Sequence, residues 1–215
     1  MKPLAVLAAV GLVLAAGTAA AQNQPAAQPA APAAPAPMAR QIVRGVVAQA
    51  SDTALVITRR DGKTINVNLA PNWTVAVLKP IPVDQIQPGS FIGTTEMPQA
   101  DGTGISVEVH VFPPGVKMGE GHYPWDLQPG AMMTNGTVGT VTAVSGGRAL
   151  EVNYGTGDRH VVVPPNAPVV LITPGGDHSL IKAGVSVFLV AAVGPDGALV
   201  TNNVLTGDGG AAPPM

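Results

Sequence analysis

The amino-acid sequence predicts an all-β protein made of two tandem small β-barrel modules joined by a Gly/Pro/Met-rich insert. Three observations lead to this prediction: an internal repeat, a strand-like alternation of apolar and polar residues in each copy, and Asp-Gly pairs between the strand-like runs. Segments Ile65–Leu69 and Ile105–Val111 alternate strictly, which is typical of half-buried strands. No amphipathic helix of normal length is expected in the mature chain.

The repeat spans most of the chain and sets the module boundaries. Gly45 meets Gly139 at an offset of 94 residues, and Pro80 meets Pro174 at the same offset. With one residue of slippage, further pairs align: Leu55 with Leu150, Gly62 with Gly157 and Gly89 with Gly184. Matches spread over a whole unit are typical of repeat architectures. The resulting boundaries are 40–113 for the first module, 114–133 for the insert and 134–208 for the second module.

The strands and turns within each copy predict the kind of barrel. Asp61-Gly62, Asp101-Gly102 and Asp196-Gly197 lie between strand-like runs and favour tight hairpins, because these residues tolerate positive φ. Prolines in the middle of the first copy predict a looped crossover with a short helical turn near Asp84. Five short strands with a break after the third predict a small, partly open barrel of the OB type.

The N-terminus predicts export. Lys2 precedes a short apolar run, and Ala19-Ala20-Ala21 is a pattern that signal peptidase cleaves. The apolar run is shorter than a spanning helix needs, so no integral membrane segment is expected after cleavage. The predicted location is periplasmic or secreted. The corresponding ranges are 1–21 for the signal peptide, 22–39 for an Ala/Pro-rich disordered tether and 209–215 for a disordered tail.

Composition argues against several classes of function. After removal of residues 1–21 the chain has 10 basic and 13 acidic side chains, so nucleic acid is not an expected partner. The chain has no cysteine, which excludes disulfides and thiol catalysis. No G-x-S-x-G, H-E-x-x-H or phosphate-loop motif is present. We therefore expect a non-enzymatic protein with a binding or structural role.

Glycines and strand spacing in the second copy form a longer pattern. It opens with GTVTAV and continues with LEV, IKAGVSV and DGALVTNNV, while the first copy fits more loosely with QIQPGSFIG and DGTGISVEVHV. In this pattern the chain resembles the DUF5666 family of exported bacterial β-domains, over both modules but outside the tether and the insert. The resemblance implies an OB-like barrel in the cell envelope, and it supplies no catalytic residues.

The insert gathers side chains that are rare elsewhere in the chain. It reads KMGEGHYPWDLQPGAMM from Lys117, and its thioethers and imidazole are ligands that select soft metals. No cofactor is expected from the sequence as a whole, and copper is the one candidate that the insert offers. The candidate metal ligands are Met118, His122, Met132 and Met133. Additional ligands would come from Glu120, Asp126 and His110, the last of which shares the outward face of its strand with Glu108.

A packing role is the preferred interpretation of the insert, and copper binding is an alternative to it. Tyr123, Pro124 and Trp125 would then staple the two modules together, and His122 would only form a cap or a hydrogen bond. A contact surface for an envelope protein or a glycan is a third alternative.

The two remaining histidines are expected to be structural. His160 aligns with Ile65, an inward position, and is therefore expected to be a half-buried core residue. His178 is expected to be a solvated loop residue that pairs with the neighbouring Asp177.

Overall fold

The computed structural model describes residues 39–215, so the predicted signal peptide and all of the tether except Ala39 lie outside the described residues. Within 39–215 the chain folds into twelve strands with three short 3-10 turns and no α-helix. No helix in this range is long and apolar enough to cross a membrane. The prediction of an all-β barrel protein is confirmed at this level.

The strands follow one another with short connections. Their bounds are β1 Arg40–Ala50, β2 Ala54–Arg59, β3 Thr64–Pro80, β4 Phe91–Pro98, β5 Gly104–Val111, β6 Gly121–Pro124, β7 Met132–Val144, β8 Gly147–Asn153, β9 Asp158–Val163, β10 Val169–Gly176, β11 Ser186–Val193 and β12 Leu199–Gly207. The 3-10 turns lie at Val83–Gln85, His178–Leu180 and Asp208–Gly210. The first of these turns is the one expected near Asp84.

Five strands close a barrel that we call the first ring. β1 pairs with β2 and β11, β3 pairs with β2 and β12, and β11 pairs with β12; only the β3–β12 pair is parallel. Alternate residues of these strands point inward and are buried, as the period-two pattern predicts. Its core includes Val43, Ile57, Val75, Leu189 and Val204.

Five further strands form a second ring. β7 pairs with β4 and β8, β4 pairs with β5, and β8 pairs with β9, all antiparallel. A short parallel pairing of β5 with β9 closes the cycle, with Gly104 opposite Val161 and Ile105 opposite Val162. The core of this ring includes Ile92, Val109, Val138, Leu150 and Val163.

Each ring takes strands from both halves of the chain. We expected 40–113 and 134–208 each to close its own barrel, but β1–β3 close with β11 and β12, and β7–β9 close with β4 and β5. The long strand β3 explains this: its 17 residues, at most about 55 Å if fully extended, pair with β2 and β12 of the first ring and then with β10. Between the rings β3 pairs with β10, and Leu78 lies opposite Ile172.

Matching registers relate positions in the two rings. Gly45 of β1 lies opposite Val187 of β11, and Gly136 of β7 lies opposite Ile92 of β4, so the two glycines occupy the same place. The sequence match of Gly45 with Gly139 is therefore displaced by three residues. The cause is that the β7–β8 hairpin is longer than the β1–β2 hairpin.

The segment at 209–215 is packed, and the prediction of a disordered tail is wrong. Met215 is only 2% exposed and lies in an apolar cluster with Leu78, Val170 and Phe188. Its backbone oxygen accepts a hydrogen bond from Arg44 Nε at 2.8 Å. Small residues and prolines let this segment lie against the first ring without leaving many backbone donors unpaired.

Candidate functional site

One end of the second-ring interior is polar where the first ring is apolar. Strand register relates four apolar inward positions of the first ring to four polar positions of the second. Val43 corresponds to Thr134, Leu189 to Thr94, Ala191 to Glu96 and Ile65 to Arg159. Polar groups inside a barrel cost free energy unless they are hydrogen-bonded. This polar end of the second ring is the candidate site.

Glu96 and Arg159 form the centre of the site. The Glu96 side chain is fully buried, and Arg159 Nε donates a hydrogen bond to its Oε1 at 2.6 Å. The other two guanidinium nitrogens donate to the carbonyl oxygens of Gly102 and Thr103, the latter at 3.0 Å. Arg159 thereby ties β9 to β4 and to the turn that follows it. Glu96 Oε2 has no hydrogen-bond partner and lies where a Cβ at residue 104 would be, so a larger residue than Gly104 would have to displace the Glu96 carboxylate.

His122 joins the site from the insert through Thr134. His122 Nδ1 lies 2.8 Å from Thr134 Oγ1, and this hydroxyl donates to Glu96 Oε1 at 3.5 Å. A hydroxyl that donates to Glu96 accepts from the Nδ1–H of His122, and this assigns the free lone pair to Nε2. The His122 ring lies 5.7 Å from the Tyr154 ring.

Burial shifts the pKa values of Glu96 and His122 in opposite directions. Burial raises the pKa of Glu96 above 4.5, against the lowering effect of Arg159 and Thr134. Burial, with a smaller contribution from the charge of Arg159, lowers the pKa of His122 below 6.5. The folded state binds a proton at Glu96 more tightly than the unfolded state does, so Glu96 stabilises the fold as pH falls from neutral. At His122 the unfolded state binds the proton more tightly, so His122 destabilises the fold over the same change.

A second polar cluster lies on the outer face of the second ring. Glu108 Oε1 accepts hydrogen bonds from the backbone N–H and the hydroxyl of Thr95, at 2.9 and 2.6 Å. Glu108 Oε2 lies 3.1 Å from His110 Nδ1. The two side chains share a face as alternation predicts. Both are nevertheless buried, because the insert covers this face: Asn135 Nδ2 donates to Gly119 O at 3.0 Å and to the hydroxyl of Tyr123 at 2.7 Å.

The four candidate copper ligands do not converge. Met118 is 59% exposed, whereas Met133 is buried. Met132 and Met133 are neighbours on β7, so their side chains lie on opposite faces of the sheet. His122 lies opposite Thr134 and therefore shares a face with Met132 alone. Within 39–215 no group of three or more His, Asp or Glu side chains could hold a metal ion.

Trp125 contacts first-ring residues, while the preceding β6 segment of the insert pairs with β7 of the second ring. Trp125 packs against the cluster of Leu78 and Phe188, which lies between the rings, and the Arg44 guanidinium lies 5.4 Å from its ring centroid. The next residue, Asp126, forms an ion pair with Arg44 at 2.7 Å. Tyr123 lies edge-on to Trp125 with the centroids 6.2 Å apart, and Pro124 lies opposite Met132 in the β6–β7 pair.

The expectation for His160 is wrong, whereas His178 is exposed as expected but makes its hydrogen bond to Trp73 and not to Asp177. His160 is exposed, because the inward counterpart of Ile65 is Arg159, one residue earlier. The His178 ring stacks on the Trp73 ring with the two centroids 3.8 Å apart, and His178 Nε2 lies 3.0 Å from the carbonyl oxygen of Trp73. Hydrogen bonding to Ser179, first through its side chain and then through its backbone N–H, lowers the Asp177 pKa, and the charge of His178 adds to this effect.

Sequence reasoning missed the groups that form the two polar clusters. The only indication of these clusters in the sequence is a polar residue at an inward or covered position of a strand that is otherwise apolar. The missed residues are Thr95, Glu96, Thr134, Asn135 and Arg159.

The fold and the site define an all-β protein of two linked rings, of which the second has a polar interior end. The chain matches no protein-family model, and its comparison with curated proteins and with solved structures gives no match. The resemblance to the DUF5666 family therefore stays a prediction from the sequence.

Proposed function

We propose that this protein is an exported, non-enzymatic binding or structural protein whose two tandem OB-like modules exchange their last two strands. The observation that carries the proposal is the closure of each ring by strands from both halves. Interlocked barrels resist separation without disulfides, which suits a cysteine-free scaffold in the periplasm or outside the cell. Export itself rests on residues 1–21.

The use of the buried ionisable groups supports a role without catalysis. Glu96 is engaged by Arg159, and Arg159 is in turn engaged by two carbonyl oxygens of the β4–β5 turn. Glu108 is engaged by Thr95 and His110. These hydrogen bonds hold strands and the insert in place, which is a structural role, although Glu96 Oε2 takes no part in them. Binding to an envelope protein or a glycan would then use the exposed surface of the rings and the insert.

Separated halves test the proposed strand exchange. We expect chains 22–115 and 116–215, cut in the exposed part of the insert, to assemble into a 1:1 complex when mixed, because each supplies two strands that the other lacks. Size-exclusion chromatography with light scattering gives the stoichiometry, and circular dichroism gives the folded fraction. Two halves that fold separately as monomers and do not associate would contradict the proposal.

Copper handling by Met118, His122, Met132 and Met133 is the second candidate function. One observation favours it: His122 is 23% exposed, its Nδ1 is held by Thr134, and its free Nε2 lies on the face of the sheet that carries Met132. A histidine whose second nitrogen is fixed by a hydrogen bond is the usual form of a metal ligand. The other two methionines would have to move to reach the same ion.

A copper titration separates the two candidates. With a scaffold role, we expect the 22–215 protein to retain no copper after desalting, and Trp125→Ala to lower Tm without changing metal content. With a copper role, Cu(I) or Cu(II) binds stoichiometrically and changes the Trp fluorescence. That binding is lost in the Met118→Ala/His122→Ala variant while the fold is kept.

A further inference from the structure

Residues Gln41–Arg44 of β1 form an open strand edge. One side of this segment pairs with β11, with Gln41 opposite Ala191 and Arg44 opposite Phe188. On the other side, β2 starts to pair only at Gly45. Over the described part of the chain, Gln41–Arg44 make no backbone hydrogen bonds besides those of the β1–β11 ladder. An unpaired row of N–H and C=O groups is a template for another strand.

The corresponding edge of the second ring is filled. By register, Gln41–Arg44 correspond to Met132–Asn135 of β7, and there β6 adds as an antiparallel strand. Gly121 lies opposite Asn135 and Pro124 lies opposite Met132. Among the described residues, the same position is therefore paired in the second ring and unpaired in the first.

The segment that leads to this edge is held in the same way in both rings. Asn135 Nδ2 binds the carbonyl oxygen of Gly119 at 3.0 Å, and its counterpart Arg44 binds that of Met215 at 2.8 Å. In the second ring the chain continues from Gly119 into β6, which fills the edge. In the first ring the described residues supply the lead-in segment and no strand.

We propose that Gln41–Arg44 is a strand-addition site for an extended segment of a partner protein, which adds antiparallel to β1. This inference names a partner class for the proposed binding role and rests on that role. Main-chain hydrogen bonds would supply affinity, and the side chain opposite Val43 would supply specificity. That side chain must be apolar, because the neighbouring interior positions are Leu189 and Ala191, whereas His122 in the second ring meets polar Thr134.

The size of the edge and the sequence of the tether narrow the choice of occupant. The four residues Gln41–Arg44 span about 13 Å, which is the length of one short strand. At one end of this edge, the Arg44 side chain already contacts the Trp125 ring and forms an ion pair with Asp126. The tether at 22–38 is a poor occupant, because its prolines lack the N–H groups that a ladder needs. A segment of another protein with few prolines fits best.

A peptide titration tests the site on the full 22–215 protein. The probe is a synthetic peptide with the sequence of Glu120–Trp125 in which His122 is replaced by valine. We expect saturable amide shifts in NMR spectra, and slower hydrogen exchange, confined to Gln41–Arg44 and the facing part of β11. The same peptide with histidine retained should bind about tenfold more weakly, because a polar group would be buried against Val43. A peptide N-methylated at valine and tyrosine should not bind.

A second variant keeps the test independent of peptide affinity. The chain is extended after Met215 by Glu-Gly-Val-Tyr-Pro. The added strand would lie beside Gln41–Arg44 in the first ring, at the position that corresponds to β6 in the second ring. This extension should raise Tm and abolish peptide binding, whereas a Glu-Gly-Pro-Pro-Pro extension should do neither. An unchanged Tm, or peptide shifts elsewhere on the surface, would overturn the site but not the scaffold role, which the separated halves test. A concentration-dependent dimer in which the Gln41–Arg44 amides are protected would overturn the partner-protein assignment and show that a second copy of this chain fills the edge.

Discussion

Replacement of Arg159 by methionine is expected to lower the free energy of unfolding by about 3–5 kcal/mol at neutral pH. The substitution removes the hydrogen bond to Glu96 Oε1 and leaves a fully buried carboxylate without a cation. It also frees the carbonyl oxygens of Gly102 and Thr103. Denaturant unfolding followed by Trp fluorescence measures the loss. Arg148→Met, which changes a partly exposed arginine of β8 that has no ion pair or side-chain hydrogen bond in the described structure, is the matched control and should change the free energy of unfolding by no more than about 0.5 kcal/mol.

The pH dependence of this variant identifies Glu96 as the cause. Without Arg159, burial raises the pKa of Glu96 further above 4.5, so the folded state binds a proton that the unfolded state does not hold. The stability of Arg159→Met should therefore recover as pH falls from neutral towards 4.5. The Glu96→Gln/Arg159→Met variant has no carboxylate to protonate and should lack this recovery, while the opposing effect of His122 is common to both. Parallel pH profiles for the two variants would contradict the assignment.

Local pattern was sufficient for the strands and for much of the core. The alternation of Ile105–Val111 predicts the core positions Val109 and Val111, and the Asp-Gly pairs mark real turns. The alternation fails at Ile105 and Val107, which are only half-buried, because the β4–β5 register shifts between Ser106 and Glu108. The closure of the rings was not predictable in the same way. Strand pairing between distant segments, such as β5 with β9, depends on where the long β3 delivers the chain, and period-two alternation contains no information on partners.

The candidate site escaped prediction for the same reason. Glu96 and Arg159 lie 63 positions apart in sequence and in different halves, and only the closure of the second ring by strands from both halves brings Arg159 Nε to 2.6 Å from Glu96 Oε1. The sequence alignment pairs Ile65 with His160, whereas strand register pairs it with Arg159, one residue earlier. A shift of one residue along a strand moves the side chain to the opposite face of the sheet. The insert was recognised from composition, yet its role depends on contacts with Arg44 and Asn135 that lie far away in sequence.

Replacement of Gly136 by alanine is expected to destabilise the protein by more than about 3 kcal/mol or to prevent folding. A Cβ atom here would collide with the carbonyl oxygen of Asn153 and lie 2.8 Å from its carbonyl carbon and 2.9 Å from Val152 Cγ1. Asn153 is paired with Thr137 at the end of the β7–β8 ladder and Gly136 is paired with Ile92 of β4, so neither backbone segment can move aside without disturbing a strand pairing. Thermal unfolding of the purified variant, or its yield of soluble protein, measures the effect.

Gly139→Ala, three residues along the same strand, is the matched control. A Cβ there would lie 3.7 Å from the carbonyl oxygen of Glu151, an ordinary contact, so the variant should lie within about 0.5 kcal/mol of the parent or be slightly more stable. Gly45→Ala should resemble Gly136→Ala, because its Cβ would collide with the carbonyl oxygen of Thr58 and lie 2.7 Å from Ile57 Cγ2. Sequence alignment pairs Gly45 with Gly139, whereas strand register pairs it with Gly136. A harmful Gly139→Ala beside a tolerated Gly136→Ala would reject the register and, with it, the correspondence on which the open edge of β1 is inferred.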